Sequence, residues 1–66
     1  MDAADRVEFA DVHVFASSDI VMLCHINGRT VAVTQRTVLP GSEVSRLGDR
    51  GRLVLTRNVA VGLELA

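Results

Sequence analysis

Asn27-Gly28 sits between two apolar runs, Ile20–Ile26 and Arg29–Thr34, and no other stretch of the chain restricts its fold so tightly. A two-residue type I′ turn needs positive φ at both central positions, and Asn followed by Gly tolerates that best. The loop length then fixes the register. Ile26 falls opposite Arg29, His25 opposite Thr30, Cys24 opposite Val31, Leu23 opposite Ala32, Met22 opposite Val33 and Val21 opposite Thr34. Side chains alternate across a strand, so Met22, Cys24, Val31 and Val33 share one face, the expected core face. Val21, Leu23, His25, Thr30, Ala32 and Thr34 share the other. That second face is apolar enough to need cover from another element or another subunit.

The remaining segments read as short strands joined by turns. Val7–Phe15 alternates, placing Ala10, Val12 and Val14 on one face and Phe9, Asp11, His13 and Phe15 on the other. The small polar connection Ala16–Asp19 makes this strand an antiparallel neighbour of Ile20–Ile26. Pro40-Gly41 is a turn pair of the type II kind. Glu43–Leu47 reads as a short strand, 48–51 as a tight turn and Arg52–Thr56 as a last strand with Leu53 and Leu55 inward. In the closing segment Arg57–Ala66, either Thr56 or Asn58 caps a short helix presenting Val59 and Leu63, and the same residues also alternate as a strand would. The helix is the reading adopted. The expectation is a mainly β domain over residues 1–66, a five-stranded antiparallel SH3-like barrel or roll with a short C-terminal helical segment and a frayed end at 1–6.

A chain of 66 residues is close to the lower limit for unaided folding, since domains of this size bury only about 60% of the surface their unfolded chains expose. Disulfides, metals and oligomerisation are the usual supports. The single cysteine excludes an internal disulfide and fits a reducing compartment. Cys24 and His25 are neighbours on a strand and point to opposite faces, so they do not ligate one ion; no metal and no cofactor is expected. Oligomerisation remains, with Val21, Leu23, His25 and Ala32 as the expected interface. No run approaches the ~20 apolar residues of a membrane span, and the acidic start lacks a signal-peptide layout, so the expected location is the cytoplasm without membrane attachment.

Charge is uneven along the chain. Residues 1–28 carry one Arg and five carboxylates, 1 − 5 = −4, and residues 29–57 carry six Arg and two carboxylates, 6 − 2 = +4; Glu64 completes the net charge of −1. These halves either neutralise each other within or between subunits, or present arginines to an acidic partner. On the second reading Arg46, Arg50, Arg52 and Arg57 are the candidate contacts for an anionic ligand or nucleic acid. Residues 48–51 lack the spacing, the Lys-Ser/Thr pair and the helix of a phosphate loop. The aromatic residues that single-strand binding uses are limited to Phe9 and Phe15, both in the acidic half. None of Ser17, Ser18, Ser42 and Ser45 has a nucleophile motif around it, so no catalytic residue is assigned.

Two resemblances add to this reading. Leu47–Leu65 resembles the first half of an AbrB/MazE-type swapped-hairpin domain, with Gly51, Arg52, Leu53, Leu55 and Leu63 in matching positions. Thr56 and Glu64 stand where that pattern has Pro and a second Gly. This resemblance implies DNA contact through Arg50, Arg52 and Arg57. From about Asp19 to Leu65 the chain is similar to short, uncharacterised bacterial and phage proteins. Gly28, Gly48, Asp49, Gly51, Leu53, Leu55, Ala60 and Leu63 fit, whereas Ala32, Thr34, Thr56 and Asn58 replace the aromatic and proline positions. That similarity implies a small barrel. The function expected from the whole is non-catalytic, oligomeric binding of a protein or an anionic ligand. A DNA-binding regulator is the first alternative, and a small enzyme with a site between subunits is the second.

Overall fold

The computed structural model describes residues 5–65. Its elements are β1 (Arg6–Ser17), β2 (Val21–Ile26), β3 (Arg29–Thr34), a single 3-10 turn (Gln35–Thr37), β4 (Arg50–Thr56) and α1 (Arg57–Gly62). The strands form one antiparallel sheet in the order β3-β2-β1-β4.

The β2–β3 hairpin has the register that its turn dictates, from Ile26 opposite Arg29 to Val21 opposite Thr34. Asn27 and Gly28 both have positive φ, 52° and 78°, as a type I′ turn requires. Met22, Cys24, Val31 and Val33 are buried, and Ile26 joins them. At the other end, Ser18 closes the β1–β2 connection by accepting from the Ile20 and Val21 amides through its hydroxyl. Leu53 and Leu55 face the core from β4, as expected.

Strict alternation fails in β1, and the cause is local. Phe9 pairs with Leu53 and Val12 with Gly51, so β1 spends one residue more than β4 between these pairs. The extra residue is taken up at a bulge in which Asp11 has φ 59°. Phe9 therefore lies in the core with Val12 and Val14, while Ala10, expected to face inward, is exposed. A second irregularity, between Val14 and Ala16, makes Phe15 the unpaired residue beside β2.

The described residues contain four strands, not five, and β3 and β4 occupy opposite edges of an open sheet rather than closing an SH3-like barrel. Glu43–Leu47 is the segment that does not form its expected strand. The Asp49 carboxylate accepts from the Ser45 and Arg46 amides at 2.9 and 3.1 Å, which curls that backbone out of an extended path. Immediately before it, residues 39–43 run along β4 with side chains in place of half a ladder. Leu39 N–H donates to Val54 C=O and Glu43 N–H to Arg52 C=O. In return the Val54 amide donates to the Ser42 hydroxyl at 2.9 Å and the Arg52 amide to the Glu43 carboxylate at 2.8 Å. Gly51 has φ 154°, a conformation that favours glycine, and an added Cβ would come within 2.7 Å of the Glu43 carboxylate, which would have to shift.

The long connection from β3 to β4 and the helix cover one face of the sheet. Val44 is buried in the core, and Val38, Val59, Leu63 and Leu65 pack against it. Thr56 caps α1 by accepting from the Val59 amide, the first of the two caps considered from the sequence. The helix ends in a Schellman motif, with Leu65 N–H to Ala60 C=O, Glu64 N–H to Val61 C=O, and Glu64 at φ 63°. At the other terminus Arg6 already belongs to β1 and donates to Pro40 C=O, and Asp5 accepts from Arg57. The frayed end expected over 1–6 thus does not reach these two residues; residues 1–4 and Ala66 lie outside the described part. No helix among the described residues is long and apolar enough to cross a membrane.

Candidate functional site: the outer face of the sheet

With the core on one side, the described residues leave the opposite face of β1, β2 and β3 open. Its centre is the row predicted from the hairpin: Val21 and Leu23 are half-buried, and His25 and Ala32 are exposed. The structure brings these four together with two residues that the hairpin alone did not reveal. His13 lies directly opposite His25 in the β1–β2 register, and the rings lie 6.3 Å apart between centroids. Phe15 stacks on His25 with centroids 4.5 Å apart and planes 28° from parallel, within the range for an offset aromatic pair. The signal was present in the sequence, since His13 and Phe15 share the outer parity of β1. What converts parity into contact is the irregularity at Phe15, which places its ring over β2.

Phe15, on this face, is 36% exposed, and Ile20, in the connection just before β2, is 72% exposed. Cys24 lies on the opposite side of the same strand, fully buried, and burial pushes its thiol above the ordinary cysteine range. That keeps the sulfur protonated and unreactive at neutral pH. Cys24 and His25 thus face apart, and no cluster of three or more metal-ligating side chains occurs among the described residues.

The four candidate anion contacts fare differently. Arg50 Nε donates to Asp11 at 2.9 Å, Arg52 lies 3.7 Å from Glu43, and Arg57 Nε donates to Asp5 at 2.8 Å. The Arg50 guanidinium holds the Asp11 carboxyl below its ordinary range through that hydrogen bond, and their charge attraction adds to it. Arg46 sits in the loop whose backbone Asp49 binds, and among the described residues its guanidinium has no ion pair. Arg50 and Arg52 alone of the four line a common depression, of ≈ 440 Å³, whose wall also carries Glu8, Asp11 and Glu43. Among the described residues, three carboxylates against two guanidiniums give that depression no positive excess. Two of the ion pairs, Asp5–Arg57 and Asp11–Arg50, join the acidic half of the chain to the basic half. Exposed pairs of this kind contribute little to stability, but they occupy the arginines.

No protein-family model matches the chain, and neither the curated proteins nor the solved structures contain a match to it.

Proposed function

We propose that this chain is a non-catalytic, oligomeric binding module of the cytoplasm, and that the outer face around Leu23 and Phe15 is where it meets another protein surface. The observation that supports this reading is the asymmetry of the sheet. One face is covered by α1 and the β3–β4 connection, while the other exposes Phe15, Ala32 and parts of Val21 and Leu23 around two histidines. Apolar bodies with polar tips, here Phe15 and His25, suit a surface that is buried on association and wetted at its margin. A chain of this length also gains more from association than a larger domain would.

Binding of an anionic ligand or of DNA through Arg50, Arg52 and Arg57 has less support, because each would have to leave a carboxylate first. The test of the protein-binding reading is Leu23→Glu. A carboxylate on that face should lower the mass of the assembly in solution while the hairpin stays folded. If the variant assembles as the wild type does, the outer face is not a contact surface.

A further inference from the structure

The two edges of the sheet differ. Along β4 the outward backbone groups are occupied by residues 39–43, partly through the Ser42 and Glu43 side chains. Along β3 they are not. In a two-residue hairpin the residues flanking the turn form a hydrogen-bonded pair, and such pairs then alternate with non-bonded ones. Arg29, Val31 and Val33 therefore bond inward to β2, while Thr30, Ala32 and Thr34 direct their backbone groups away from the sheet. Among the described residues, the N–H and C=O groups of Thr30 and Ala32 have no partner, and both residues are exposed. The Thr34 carbonyl accepts the Thr37 hydroxyl and, as the N-cap of the 3-10 turn, also closes that turn, so a strand added at this edge would share it. Nothing in this strand guards the edge: it carries no proline, lysine or bulge, and its one charge is Arg29 at the turn.

The sequence of this edge indicates what covers it. Thr30-Val31-Ala32-Val33-Thr34 reads the same in both directions. Antiparallel pairing about a twofold axis at Ala32 sets Ala32 against the partner subunit's Ala32, Thr30 against the partner's Thr34, and Val31 against the partner's Val33. The outward N–H and C=O groups then meet as hydrogen-bonded pairs, with threonine beside threonine on the outer face, a favourable cross-strand combination. A surface complementary to itself under a twofold is what a closed dimer needs, and a net charge of −1 per chain offers little repulsion.

We infer that two copies of the chain join through their β3 edges, about a twofold axis at Ala32, into one continuous eight-stranded antiparallel sheet. The inference rests on the reading that the chain self-assembles, and it assigns a contact distinct from the outer face. The joined sheet carries the two outer faces side by side, so that Leu23 and Ala32 of both copies form one longer surface.

Amide hydrogen exchange, read residue by residue at several protein concentrations, tests this. The Thr30 and Ala32 amides should become protected as concentration rises through the association range, in step with the mass measured on the same samples. Ala32→Pro removes the outward N–H without touching the β2–β3 ladder. It should abolish the protection at Thr30 and weaken assembly at least tenfold, while Val31 and Val33 stay protected. If this variant does not fold, the wild-type amides still decide the question. Free exchange at Thr30 and Ala32 in protein that is demonstrably assembled overturns the edge contact and leaves the outer-face reading standing. A wild type that never associates overturns both.

Discussion

The Val54 amide donates to the Ser42 hydroxyl at 2.9 Å, so a side chain stands where the carbonyl of a fifth strand would be. Val54 is only 2% exposed, and its N–H has no access to water as a substitute. Ser42→Ala should therefore lower stability by about 1–2 kcal/mol, the usual cost of orphaning a buried donor. Urea unfolding monitored by circular dichroism measures it. A shift indistinguishable from zero would mean that residues 39–43 do not seal the β4 edge.

Acid should act on the curled segment before it acts on the core. The Ser45 and Arg46 amides hold the Asp49 carboxyl below its ordinary range, chiefly by hydrogen bonding. A carboxyl depressed in the folded state stabilises the fold above its unfolded value of about 4 and loses that contribution as pH falls through the lower folded value. Asp11, depressed by Arg50, has the same sign. Thermal melts from pH 6 downward should thus show Tm falling below about pH 4, and Asp49→Ala should flatten that fall without removing it, because Asp11 remains. An unchanged pH profile in the variant would contradict the capping role of Asp49.

Glu64 occupies the C′ position of α1 at φ 63°, a conformation that costs a residue with a Cβ about 1 kcal/mol. Its ion pair with Arg29 is long, 3.4 Å, and largely exposed, so it offsets little. Glu64→Gly should raise stability by up to about 1 kcal/mol, net of the greater freedom of glycine in the unfolded chain. Its urea midpoint against that of the wild type is the measurement, and a clear destabilisation would show that the Arg29 contact outweighs the backbone term.

The paired arginines carry an expectation about nucleic acid. Duplex DNA titrated at low salt should show no binding beyond that of a variant with Arg50 and Arg52 replaced by Gln. Wild-type affinity that exceeds this variant and weakens as salt rises would restore the DNA-binding reading, since released counterions give phosphate contacts that signature.

The hairpin was fully legible because one dipeptide fixes both turn and register, and every face assignment followed from it. The helix was legible in its Thr56 cap. In β1 the bulge at Asp11 was not, because alternation is read by counting and an inserted residue shifts the count without leaving a mark in composition. Phe9 and Ala10 exchange places for that reason alone. The supposed strand at Glu43–Leu47 failed differently: Asp49, Ser42 and Glu43 satisfy backbone amides with side chains, a competition that periodicity does not register. On the outer face, Leu23 and its row were accessible from the sequence, while the stacking of Phe15 on His25 needed the β1–β2 register. The pairing of Arg50 with Asp11 and of Arg57 with Asp5 was foreseeable as mutual neutralisation of the two halves but not as particular partners.

Sedimentation equilibrium of the wild-type chain at micromolar concentrations tests the central claim most directly, because both proposed contacts require association. The mass should exceed the 7.1 kDa of one chain and rise with concentration toward at least a dimer. A single 7.1 kDa species across that range would contradict that claim.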